Sequence, residues 1–283
     1  MSGAAAAPFT LMAVHAHPDD ECTSTGGILA HYALRGVRTV VVTCTDGDLG
    51  DGPGGVKPGQ DGSRPSRSGG HPAGRAPARL RTFGRIRPRT ARIPRFRHGR
   101  VGLQDRENAF CGVPIEHAVR RIAQLIDRYQ PQVVVTYDPD STRHPDHVRA
   151  AHATTSAVDA GNVVAKLYYK AHGSSYWHRL NQVLAEVGIQ RATPSRETLR
   201  ILETVEQRIT AIVDVSQVVD RKRTALHAHA SQLGSSLAGK LPASQFHYAF
   251  GPEAYIRTRD TTGASMPEND LFTGLGNPQL QLR

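Results

Sequence analysis

Two short clusters of imidazoles and carboxylates hold the chemistry this sequence can perform: HAHPDDE at His15–Glu21 and HPDH at His144–His147. Imidazole plus hard carboxylate suits Zn²⁺, with Fe²⁺ or Mn²⁺ as further options. In the first cluster Pro18 stiffens a turn from which His17 and Asp20 can converge on one cation, leaving Asp19 beside them. In the second, Pro145 is suited to open a helix. That puts His144 at the N-cap and His147 on the first turn. A catalytic zinc takes three protein ligands and keeps one position open. His17, Asp20 and His147 fill that requirement. Either motif alone is equally a capped helix start, with Asp146 as the cap in the second. The pair, each placed after a buried strand, points to a shared metal centre.

The elements that must position these residues read as an α/β alternation. Residues 10–17 form a short apolar strand, and a helix follows from Ser24 to Gly36, with Ile28, Leu29, Tyr32 and Ala33 on one face. Residues 38–45 (RTVVVTCT) are a second strand, rich in β-branched residues. A Gly-, Asp- and Pro-loaded loop covers 46–62. Pattern resumes at Val113: a helix opening at Pro114 runs to Tyr129, residues 132–137 make a third buried strand, and DPDSTRH leads into the Pro145 helix. Further strands are expected at 164–169 and 209–215, and helices at 174–187 and 216–232. Continuous apolar strands joined by helices predict a mostly parallel sheet. Such sheets bind ligands at the carboxyl ends of their strands, where both clusters fall. The reading is one domain over 1–260 and a polar, Gly-rich tail over 261–283.

The formal net charge of +10 comes from one segment. Residues 63–104 carry 12 Arg and no Lys, Asp or Glu; the remainder holds 23 basic and 25 acidic residues, so the fold itself is near neutral. Arg, Gly, Pro, Ala and Ser make up 30 of those 42 residues. Three readings stand: a disordered basic insert, an arm for nucleic acid or an anionic surface, or an out-of-frame translation of GC-rich coding DNA. The abrupt edges favour the last. A nucleic-acid role would leave both His/Asp clusters unexplained, and no interleaved aromatics accompany the arginines. No apolar run approaches the roughly 18 residues of a membrane span. The first residues lack a basic n-region, and three cysteines without CxxC spacing build neither a disulfide framework nor a Cys-based zinc site. A cytoplasmic protein without membrane or nucleic-acid partners is expected.

HPDDE and HPDH together resemble the two diagnostic motifs of the LmbE-like, or PIG-L, family of metal-dependent amide hydrolases acting on N-acetylglucosaminyl groups. KRTALHAHASQ at Lys222–Gln232 is similar to that family's C-terminal helix. AVHAHPDDE with VVTCTDGDLGD looks closest to the branch serving mycothiol chemistry. The resemblance covers about 8–62 and 105–258. It implies a Rossmann-like three-layer α/β fold, with His17, Asp20 and His147 as zinc ligands. It makes Asp19 the general base toward water at the metal. His144 would stabilise the tetrahedral oxyanion or help protonate the leaving amine. Asp48 and His229 would stand on the substrate side, though Asp48 is as readily a turn residue. The implied reaction removes acetate from a small N-acetylated amino sugar of glucosaminyl-inositol type. The alternatives are an S-conjugate amidase, an impaired homologue and an Arg-arm nucleic-acid binder. Across 63–104, where the family places a helix, a strand and sugar-contacting Arg and Asp, nothing matches. That segment is expected to be irregular and exposed. His15 and Cys44 read as packed core residues, and His31 and His152 as ordinary helix positions.

Overall fold

The computed structural model describes residues 9–45, 110–228 and 237–276, together with the backbone of 91–92. Its centre is a seven-stranded sheet in the order β3-β2-β1-β4-β5-β7-β6. These strands are β1 (Thr10–His15), β2 (Arg38–Thr43), β3 (Ala91–Arg92), β4 (Val133–Tyr137), β5 (Lys166–Ala171), β6 (Ala211–Asp214) and β7 (Pro252–Asp260). The first five are parallel. β7 runs antiparallel to both β5 and β6. Every residue of β1, β4 and β5 is buried. Helices therefore cover both faces, as an apolar parallel sheet requires.

Alternation along β1 divides the core into two layers. Leu11 and Ala13 face α2 (Gly26–Leu34), α5 (Ser174–Glu186), α7 (Val219–His227) and α8 (Ala243–Phe250). Met12 and Val14 face α3 (Ile115–Tyr129) and α4 (Pro145–Asp159). This is the three-layer, mostly parallel α/β arrangement read from the sequence. Among the described residues no helix is long and apolar enough to cross a membrane.

Several boundaries differ from expectation. The helix expected from Ser24 begins at Asp20, as a short α1 (Asp20–Ser24) that breaks at Thr25 before α2. Gly36 stops it, at a φ of 83° that a side chain would resist. Pro114 caps α3 instead of opening it, because its ψ of 128° is extended. A helix α6 (Arg196–Arg208) and strand β7 went unread. Residues 261–276 are not a loose polar tail: Glu268, Leu271 and Phe272 are buried, and Glu268 pairs with the fully buried Lys166. Within the arginine-rich stretch, Ala91 and Arg92 pair in parallel with Val42 and Thr43, so these two residues are strand and not irregular. The rest of 63–104 lies outside the described residues, as do Asp48 and His229.

A buried carboxylate anchors the first helices to the sheet. Glu253 on β7 accepts from the backbone N–H of Gly27 (2.9 Å) and Ile28 (3.1 Å), from Lys222 Nζ (2.6 Å) and from the Tyr255 hydroxyl (2.7 Å). Two of these donors are among the orphan N–H groups at the start of α2.

Candidate metal centre

β1 and β4 are neighbours in the sheet and end at the same edge. His17 and Asp20 follow the end of β1; His144 and His147 follow the end of β4, across the DPDSTR loop. Topology thus brings together side chains about 130 positions apart in the chain.

The site centres on one oxygen. Asp20 Oδ2 lies 3.2 Å from His17 Nδ1 and 3.5 Å from His147 Nε2. It also accepts from the His17 backbone N–H (2.9 Å) and the Tyr137 hydroxyl (2.7 Å). The ligating nitrogens of His17, His144 and His147 all lie within 4.8 Å of one another. Adjacent ligands of a tetrahedral zinc with bonds of about 2.0–2.1 Å stand about 3.3 Å apart. Asp20 and the two imidazoles already meet at that spacing. His144 is the outlying member: it is exposed, and its Nδ1 caps α4 by accepting from the Asp146 N–H at 3.2 Å. The expected set of His17, Asp20 and His147 is therefore brought together, with His144 stacked on His147 at a ring separation of 4.7 Å.

The surroundings favour a cation here. Burial works against the charge on His17, but the bonds to Asp146 and Asp20 outweigh it and push its pKa up to about 10. Burial also opposes the Asp20 carboxylate, yet His147 and His17 hold it well below the usual range. His144 goes the other way, lowered by burial and then by the neighbouring imidazoles. Metal binding at such a site would have to displace the proton held between the two carboxylates.

Asp146 does not cap α4 with its side chain. Its Oδ2 bonds His17 Nε2 at 3.1 Å, so Nε2 carries the hydrogen and Nδ1 is turned toward Asp20. A carboxylate behind a histidine fixes the ring's tautomer and orientation in this way. Asp19, the expected base, sits at the N-cap of α1 with φ 101°. A left-handed conformation costs a non-glycine residue on the order of 1–3 kcal/mol, and such strain gathers at functional sites. His15 is a packed core residue, as read: it is buried and shares a 2.8 Å hydrogen bond with Thr25. Cys44 is likewise buried in the core.

Tyr137 and Asp146 escaped the sequence reading as site residues. Tyr137 is the last residue of an apolar strand and looks like core; Asp146 looks like a helix-start carboxylate. The usable signal was position, since a polar tip at the carboxyl end of β4 must face the crevice that HPDH lines. Along the same edge, a cavity of about 300 Å³ opens beside the loop, walled by Ser141, Arg143, His172 and Trp177 over an α6 floor of Ile201 and Leu202.

An open α/β sheet with histidines and aspartates gathered at its strand ends defines a protein that binds its ligand in the strand-end crevice, and sequence comparison narrows the class. Residues 12–158 match the PIG-L family, described as GlcNAc-PI de-N-acetylase. Two relatives, from Rhodococcus erythropolis strain PR4 and Mycobacteroides abscessus, are both named 1D-myo-inositol 2-acetamido-2-deoxy-alpha-D-glucopyranoside deacetylase. They are 33% and 35% identical; each alignment covers 94% of this chain, and 97% and 98% of the relative. Among solved structures, the 4-carboxy-2-hydroxymuconate hydratase GalB of Pseudomonas putida superposes with a TM-score of 0.53 at 13% identity, over 91% of this chain and 99% of its own. That last likeness shows the fold alone, which evidently hosts other reactions. The chain belongs to the PIG-L family of de-N-acetylases, enzymes that act on carbon–nitrogen bonds other than peptide bonds.

Proposed function

We propose that this chain is a zinc-dependent deacetylase of an N-acetylglucosaminyl group joined to an inositol-type polyol. The observation that carries it is the approach of Asp20 Oδ2 to His17 Nδ1 and His147 Nε2 at 3.2 and 3.5 Å, on a crevice edge. The two relatives' names supply the substrate class. His17, Asp20 and His147 would hold the ion. Zinc held there supplies a Lewis acid that makes water nucleophilic at neutral pH and polarises a carbonyl.

The remaining steps belong to the chain's own groups. Asp19, adjacent to Asp20 and held in its strained turn, takes the proton from the attacking water. The water oxygen bonds to the amide carbon, and the carbon–nitrogen bond then breaks. His144 accepts the Asp146 N–H at Nδ1, so its neutral ring carries hydrogen on Nε2. That N–H donates to the oxygen on which charge develops. The proton on Asp19 returns to the departing amine, leaving acetate and a free amino sugar. Asp48 and His229 are proposed on the substrate side.

A chelator-stripped sample reloaded with zinc tests this, with acetate release measured on an N-acetylglucosaminyl inositol and on a mycothiol S-conjugate in parallel. Zinc-dependent acetate from the first substrate is the expected result. Cleavage of the conjugate alone would reassign the chain as an amidase. A second reading has its own support: the 12 arginines and absent acids of 63–104 leave no counterpart to the family's sugar-contacting Arg and Asp. Bound zinc without turnover on either substrate would establish that impaired form.

A further inference from the structure

Tyr137 touches one residue from each of the two motifs, Asp20 and His147. Its hydroxyl donates to Asp20 Oδ2 at 2.7 Å and accepts the Ala16 backbone N–H at 2.7 Å. Its ring lies flat on the His147 imidazole, 4.2 Å between centroids and 9° between planes. The His15 ring meets it edge-on at 5.5 Å. The side chain is buried and belongs to a central strand with parallel partners on both sides. Its position is therefore set by the sheet, whereas Asp20 and His147 sit on the first turns of helices entered from loops.

We infer that Tyr137 is a positioning residue for the metal site, fixing Asp20 through its hydroxyl and His147 through its ring face. Asp20 follows a strained turn, and within HPDDE the contacts on its Oδ2 come from His17, through the backbone N–H at 2.9 Å and Nδ1 at 3.2 Å. The Tyr137 hydroxyl joins them from outside the motif. His147 has a 3.4 Å contact from Thr142 Oγ1 to Nδ1 along its edge, and the closer and flatter stack of the Tyr137 ring, with that of His144, opposes rotation of the imidazole out of plane. Groups of this kind typically govern metal affinity by about 10- to 100-fold. The inference rests on the metal reading above, and its test separates the two.

The test measures zinc affinity of the full chain by chelator competition, alongside the melting temperature of the zinc-free form. Tyr137→Phe keeps the stacked ring and removes the hydroxyl; zinc should bind about 10-fold more weakly or worse. Tyr137→Leu removes the stack as well and should weaken it further. Thr136→Val is the structural control. It deletes the hydrogen bond from Thr136 Oγ1 to the Val14 carbonyl one residue away. It should lower the melting temperature while zinc affinity stays within twofold. Zinc affinity of Tyr137→Phe within twofold of the parent overturns the inference, whatever its melting temperature. A parent that binds no zinc overturns the metal reading and this one with it. Should Tyr137→Phe fail to fold, 3-fluorotyrosine placed at position 137 alone gives a ¹⁹F signal in the intact protein. That signal must move in step with zinc occupancy, and a signal that stays fixed through saturation refutes the assignment.

Discussion

Asp19 and Asp20 are neighbours with opposite surroundings. Asp20 is wrapped by donors, and His147 and His17 hold its carboxyl well below the usual range. Asp19 occupies a backbone conformation that only local constraint maintains. Asp19→Asn preserves the shape and removes the proposed base. It should lower kcat by about 10²- to 10⁴-fold with zinc content unchanged, checked by kinetics and elemental analysis of one sample. Loss of zinc from this variant would make Asp19 a ligand instead. The candidate ligands were legible in the sequence because each motif is local and follows an apolar strand. Tyr137 and Asp146 were not, since their roles depend on contacts with Asp20 and His17 that lie 117 and 129 positions away in the chain. No spacing rule within one motif reports such a contact.

The elements most readily read were those whose apolar pattern matches their burial, β1, β2, β4 and α3 among them. Helix α6 escaped because it buries only Leu202 and Val205, leaving a segment that is largely polar and charged. Strand β7 escaped because its inward positions include Glu253, which looks like surface until Lys222 is placed against it. This pair carries a prediction. Glu253→Gln leaves the Lys222 ammonium buried without its counter-charge, and removing one partner of such a pair costs about 3–5 kcal/mol. Burial raises the Glu253 pKa, but the charges of Lys222 and Lys170 win and hold it below its ordinary value. Its stabilisation is therefore complete above an unfolded pKa near 4.5 and is lost as pH falls through the lower folded value. Denaturant titrations should show the parent losing stability on acidification below that point and Glu253→Gln losing less. Equal slopes would exclude the pair as the source.

Across the whole molecule, the sequence reading placed the end of the domain near residue 260, because the following residues show no period. The structure closes differently. Glu268 reaches Lys166, the Tyr168 hydroxyl and Arg257 in the interior, and Phe272 stacks against Phe9 at 5.6 Å. Truncation after Asp260 should strand a buried lysine and uncover aromatic core. A stability loss of at least about 3–5 kcal/mol by urea unfolding is expected, and unchanged stability would restore the tail reading. The strand order has a consequence for how this protein tolerates change. β1 pairs directly with β4, so the two halves of the candidate metal centre come from neighbouring strands, although about 130 positions separate His17 from His147 in the chain. A substitution that leaves β1 and β4 unchanged therefore leaves in place the pairing that brings His17 and Asp20 toward His147.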